Sequence, residues 1–161
     1  MRLIFVDDKY AEDIFKTVSD EIKTFGSGLF EGFKVLEFGD NKRLIEKFNP
    51  DLILYLYSLK AIIHRQQVFN TYKNKYRFAC WLLEDKLIET TDVGHFYDFV
   101  FTVDKNNLEE RRQKYRYANI YFLSADDIYN RLRRIEFIYN NINKDRRCNE
   151  DVKFYNENVY L

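Results

Sequence analysis

Apolar residues in this chain fall into two alternating patterns: short unbroken runs, and longer stretches in which they recur every three or four positions. Leu3–Val6 is a first run, which predicts a strand buried on both faces. Asp7 and Asp8 follow, and Asp8 can cap a helix in which Ala11, Ile14, Phe15, Val18, Ile22 and Phe25 repeat at helical spacing. Gly26 is placed to stop that helix, and 26–32, with three glycines, predicts a loop. Phe33–Phe38 alternates as a second strand. Asp40 can cap a short helix carrying Leu44, Ile45 and Phe48, which Asn49-Pro50 ends. Leu52–Tyr57 predicts a central third strand, and Ser58 can cap a helix to about Lys75 with Leu59, Ile62, Ile63, Phe69 and Tyr72 inward. Phe78–Leu83, Phe99–Val103 and Ile120–Leu123 predict three more strands. A polar loop, 84–96, and a weakly amphipathic helix, 105–115, fall between them. Ser124 starts a long helix with Asp126 and Asp127 in its first turn and Ile128, Leu132, Ile135, Ile138 and Ile142 as its apolar stripe.

Strands alternating with helices predict an α/β fold: a three-layer, Rossmann-like or flavodoxin-like, mostly parallel sheet of about six strands with helices on both faces. No repeat and no Pro- or Gly-rich linker divides the chain, so residues 1–145 are expected to form one domain and 146–161 a polar, aromatic tail.

Composition narrows the class. With 161 residues, 46% of them apolar, the chain can bury a core without disulfides or metals. Its 26 basic and 26 acidic residues cancel, so nucleic acid is not an expected partner. Cys80 sits in an apolar run and Cys148 in the polar tail, which is neither a disulfide framework nor a metal-binding spacing. The first residues, MRLIFVDD, lack the apolar stretch of a signal peptide, and no run approaches the ~20 residues of a membrane span. A cytoplasmic protein is expected.

In open parallel sheets ligands bind beyond the carboxyl ends of the strands, where the strand order reverses. That rule selects Asp7, Asp8 and Lys9 after the first strand, Gly39 and Asp40 after the second, and Ser58 and Lys60 after the third. It also selects Glu84, Asp85 and Lys86 after the fourth, and Asp104 and Lys105 after the fifth. Neither G-x-G-x-x-G nor G-x-x-x-x-G-K-[ST] occurs, so dinucleotide and P-loop sites are not expected. His64, in the third helix, and His95, before the fifth strand, lack metal-spaced partners and read as surface histidines. No cofactor is called for; Mg²⁺ on Asp7, Asp8 and Asp104 is the one candidate cation.

The acid pair after the first strand and Lys105 after the fifth resemble response-regulator receiver domains. The carboxylate such a domain phosphorylates would stand after the third strand, where this chain has Tyr57-Ser58, and Glu84 replaces the small hydroxyl residue after the fourth. The resemblance is therefore to a degenerate receiver, a signalling or protein-interaction module.

A second resemblance covers residues 33–128. Phe48-Asn49-Pro50-Asp51-Leu52-Ile53-Leu54 leads to Ala79-Cys80-Trp81-Leu82-Leu83-Glu84-Asp85. Tyr97-Asp98-Phe99-Val100-Phe101-Thr102-Val103-Asp104 and Ile120-Tyr121-Phe122-Leu123-Ser124-Ala125 follow. This succession resembles the N-terminal domain of spore-maturation-type (CgeB-like) glycosyltransferases of the GT-B fold, with Asp85-Lys86 where the family has Asp-Pro. It implies a stand-alone, acceptor-side domain that binds a small molecule or sugar at its strand ends through Asp7, Asp8, Lys9, Ser58, Trp81, Glu84, Asp85, Asp104 and Lys105. It implies no catalytic residue. Strand order 3-2-1-4-5-6 is expected for this relationship and 2-1-3-4-5 for the receiver-like one. A protein partner or homodimer is the alternative expectation, with the Ile128–Leu132–Ile135–Ile138 stripe as its contact.

Overall fold

A computed structural model describes residues 1–8, 13–39, 41–56, 58, 61, 64, 65, 68, 71, 72, 75–83, 97–104, 108 and 120–141. Six strands are present: β1 (Arg2–Asp7), β2 (Gly32–Glu37), β3 (Leu52–Leu56), β4 (Arg77–Leu82), β5 (Phe99–Thr102) and β6 (Ile120–Phe122). Three continuous helices accompany them among the described residues: α1 (Asp13–Leu29), α2 (Lys42–Phe48) and α3 (Ile128–Asn141). Between β3 and β4 the described residues Ala61, His64, Arg65, Val68, Thr71 and Tyr72 are helical, as is Leu108 between β5 and β6.

All strand pairs are parallel, and the order is β2-β1-β3-β4-β5-β6. The α/β class read from the sequence is thus the observed one. Side chains alternate across each strand, so the sheet carries two cores. Leu3, Phe5, Leu54, Trp81, Phe101 and Tyr121 face α1 and α3, meeting Val18, Ile22, Leu132 and Ile135. Ile4, Val6, Ile53, Tyr55, Cys80 and Val100 face the other way, toward Ile45 of α2 and the helical Ala61, Val68 and Tyr72. β1, β3 and β4 are buried almost from end to end, as both-sided coverage requires.

Two polar clamps fasten the edge of the sheet where strands begin. Arg2 opens β1; its backbone N–H donates to Asp51 Oδ2 at 2.7 Å, and its guanidinium donates to the Phe48 carbonyl from Nη2 at 2.7 Å. The same guanidinium lies 4.3 Å over the Phe48 ring. Asp98, before β5, accepts the Phe78 N–H at 2.9 Å and pairs with Arg77 at 3.3 Å. Pro50-Asp51 and Tyr97-Asp98, two pieces of the glycosyltransferase-like pattern, therefore hold strand starts together.

Several local readings are corrected. α1 does not stop at Gly26 but runs on to Leu29, leaving only Phe30 and Glu31 before β2. A Cβ on Gly26 would lie 2.4 Å from the Phe33 ring, so this glycine permits close helix–strand approach and makes no turn. The start of α1 at Asp8 falls beside residues 9–12, outside the described residues, as do the Asp40 cap and the tail. Asn49 ends α2 in the left-handed region, φ 51°, with its N–H on the Ile45 carbonyl. α3 begins at Ile128, not Ser124. Asp126 instead takes the Ser124 hydroxyl, and Asp127, φ 48°, turns the chain into the helix. The stripe Ile128, Leu132, Ile135 and Ile138 is fully buried on the protein's own sheet, which removes it as a dimer contact.

Candidate functional site

Growth of the sheet reverses between β1 and β3: β2 adds on one side of β1, and β3 to β6 add on the other. The ends of β1 and β3 therefore splay a crevice between the helices that follow them. A depression lies there, lined by Val6, Asp8, Phe15, Ser19, Leu56 and Ser58. It is shallow and open: of about 250 Å³ counted with its mouth, the enclosed part has room for about one water molecule, so a ligand would rest on this surface and not be enclosed by it.

Asp7 is the last residue of β1. Period-two alternation puts it on the same face as Leu3 and Phe5, under α1. It is buried, and a buried carboxylate must be paired. Ser19 donates its hydroxyl proton to Asp7 Oδ1 at 2.5 Å, and Lys23, one turn on, donates to Oδ2 at 2.9 Å. The bond to Asp7 holds the Lys23 ammonium above its ordinary pKa, against the cost of partial burial. Asp7 thus ties β1 to α1, and its neighbour Asp8 lines the crevice.

At the end of β3, Ser58 Oγ accepts the Ala61 N–H at 3.0 Å, the cap its sequence position suggests. This bond has a chemical consequence. The Ala61 amide, among the helix-start N–H groups that could meet a phosphate, is thereby occupied. Ser19 has given its proton to Asp7, so it offers the crevice lone pairs only, and Asp8 is an acceptor when ionised. Among the described lining groups, acceptors outnumber donors. That lining suits a ligand bearing hydroxyl or amine hydrogens, with an apolar part for Val6, Phe15 and Leu56, better than it suits a phosphate.

The remaining expected residues divide. Trp81 is fully buried and its indole N–H donates to the Leu123 carbonyl at 3.0 Å, so it has no surface through which to meet a ligand. Asp104 follows β5, its N–H on Thr102 Oγ1 at 3.2 Å. Three strand spacings separate β1 from β5, about 14 Å, so Asp7 and Asp8 are not brought to Asp104 and the three cannot share a cation. Among the described residues no group of three or more His, Cys, Asp or Glu could hold a metal ion. Lys9, Lys60, Glu84, Asp85, Lys86, Lys105 and His95 lie outside the described residues.

His64 is not a surface residue: it is buried between β3, the β2–α2 loop and its own helical segment. Its Nε2 lies 3.2 Å from the Gly39 carbonyl, which can only accept, so Nε2 carries the proton. Nδ1 then accepts the Tyr55 hydroxyl at 3.0 Å. Burial lowers the His64 pKa and raises that of Tyr55, so both are neutral around pH 7. On the same face, burial pushes the Cys80 thiol well up, and the buried Arg65 guanidinium lies 5.5 Å over the Tyr97 ring.

Sequence reasoning missed Phe15, Ser19 and Lys23. The signal was present: Ser19 is a polar residue between Val18 and Ile22 on the inward face of α1, with Lys23 one turn further on.

Fold and crevice together define a doubly wound α/β protein with a depression, among its described residues, at the topological switch point. Comparison with family models, with curated proteins and with solved structures returns no match to this chain. No helix among the described residues is long and apolar enough to cross a membrane.

Proposed function

We propose that this chain is a glycosyltransferase-like binding domain that takes a small hydroxyl-bearing molecule, such as a sugar or an acceptor, at the crevice between β1 and β3, and that it binds without itself completing a transfer reaction. The observation that carries the reading is the placement of the depression at the switch point, with Asp8, Ser19 and Ser58 around an apolar floor. Asp7, at the end of β1, is engaged in holding the fold, and Asp8 is the carboxylate that lines the crevice among the described residues. The observed order, 2-1-3-4-5-6, is not the 3-2-1-4-5-6 expected for this relationship, so the reading draws no support from strand order.

The test is a thermal-shift screen with monosaccharides, nucleotide sugars and inorganic phosphate. A sugar at a hundred times its Kd should stabilise the fold by about 2.7 kcal/mol. Asp8→Asn should weaken that binding by about tenfold, through loss of a charge-assisted hydrogen bond. Stabilisation by none of these compounds would remove the reading.

A receiver-like interaction module is the second reading, and the order 2-1-3-4-5, extended by β6, favours it. It would work by contact alone, because Ser58 caps a helix where a receiver carries its phosphorylated aspartate. No stabilisation by small molecules, together with a specific protein contact, would favour it over the first.

A further inference from the structure

The crevice lining holds two serines whose hydroxyls have opposite polarity. Ser58 Oγ accepts the Ala61 N–H at 3.0 Å, and its own proton can still be donated. Ser19 donates to Asp7 Oδ1 at 2.5 Å, so lone pairs are what it has left. A serine within a helix has another local acceptor, the carbonyl one turn back, which here belongs to Phe15. Asp7 takes the proton instead, because a hydrogen bond to a carboxylate is roughly twice as strong as one between neutral groups. The carboxylate is also held from its far side. Lys23 Nζ lies 2.9 Å from Asp7 Oδ2 and 3.3 Å from Asp20 Oδ1, and Ser19 and Lys23, four residues apart, share one face of α1. Asp7 and Ser19 are both buried, so water does not compete for this bond.

We infer that Asp7 is a positioning residue that sets the specificity of the crevice: by taking the Ser19 proton, it makes the site demand a hydrogen-bond donor, a hydroxyl or an ammonium, from the ligand group that enters the water-sized enclosed space. This selectivity rests on the ligand reading above and names what that site accepts. A group carrying lone pairs alone, such as a carboxylate, a carbonyl or a fluorine, meets the lone pairs of Ser19 and is disfavoured. The polarity can be inverted by one atom. In Asp7→Asn the side chain becomes an amide with an accepting end and a donating end. Lys23 can only donate, so it claims the amide oxygen. The amide nitrogen then faces Ser19 and donates to its Oγ, which frees the Ser19 proton.

The test titrates the full chain calorimetrically with monosaccharides and with analogues in which one hydroxyl at a time is replaced by fluorine, which accepts weakly and never donates. In the unaltered protein, fluorination at one position should weaken binding by about tenfold. In Asp7→Asn the parent sugar should bind about threefold more weakly, and fluorination at that position should cost nothing further. A merely structural Asp7 would weaken parent and analogue together and keep the tenfold ratio between them, as in the unaltered protein, at about ten. Ser19→Ala, which keeps the Asp7–Lys23 pair, should erase the same ratio. Without any ligand, proton NMR should show the Ser19 hydroxyl proton slow to exchange with water, and Asp7→Asn should abolish that signal. Absence of the signal from the unaltered protein, equal tolerance of fluorine at every position, or a ratio unchanged in either variant would overturn the inference and leave the ligand reading standing. Binding of no monosaccharide, with the Ser19 proton in place, would overturn the ligand reading and this inference with it.

Discussion

Asp98 is 2% exposed, yet it carries a charge. It is tolerated because the Phe78 N–H and the Arg77 guanidinium satisfy its two oxygens. Asp98→Ala would leave a buried amide without an acceptor and Arg77 without its partner, so a loss of about 2–4 kcal/mol is expected in urea unfolding. His64 gives a pH dependence whose sign follows from its depressed pKa. The unfolded chain binds the His64 proton more readily, near pH 6.5, than the folded one does. The contribution is therefore fully present above that pH and is lost as pH falls through the lower folded value. The urea midpoint should drop between pH 7.5 and 5.5, and the drop should shrink in His64→Gln. Retention of the full drop in that variant would place its source elsewhere. Neither residue's role was legible in the sequence. Asp98 read as part of a motif and His64 as surface, because burial of a polar group is decided by which strands and loops close over it.

At the scale of elements, pattern decided type and packing decided ends. Every expected strand is present within a residue or so of its predicted bounds, because short apolar runs between polar turns have few other places to go in a chain this apolar. The ends of α1 and α3 moved for reasons no local rule contains. Gly26 stays helical because Phe33 needs the room above it. The turn at Asp127 delays α3 by most of a turn after β6. The two glycines of α1 give a matched test. At Gly28 a Cβ would meet nothing within 4 Å, so Gly28→Ala should stabilise by about 0.5–1 kcal/mol through helix propensity. Gly26→Ala gains the same propensity but drives a methyl into Phe33, and overpacking at about 1–3 kcal/mol should make it net destabilising. Thermal melts of the two variants moving in the same direction would contradict this account.

Across the whole molecule, the candidate site was half legible. The rule that ligands gather beyond the strand ends selected Asp8 and Ser58 without any structure. It could not select Phe15 or Ser19, which reach the crevice from the helix that packs over it, and the resemblance that suggested Trp81 held no sign that its ring points into the core. The sheet order also has a dynamic consequence. Hydrogen exchange should be slowest where strands start, at the Phe78 and Asp51 amides held by Asp98 and the Arg2 carbonyl, and faster at Val103 and Leu123 where they finish. Uniform protection from one edge of the sheet to the other would argue against clamps at the starting edge.

The pairing of Arg2 with Asp51, and of Arg77 with Asp98, has one more outcome. Both fasteners sit on the rim remote from the crevice, so a turn following β1, β3 or β5 can be lengthened or exchanged without touching what sets strand alignment. An extra residue just ahead of Leu52 or Phe99 would slide a whole strand past its neighbours. The molecule thus keeps one margin conservative and leaves the other open to rewriting, which is how a single scaffold can change its ligands while staying folded.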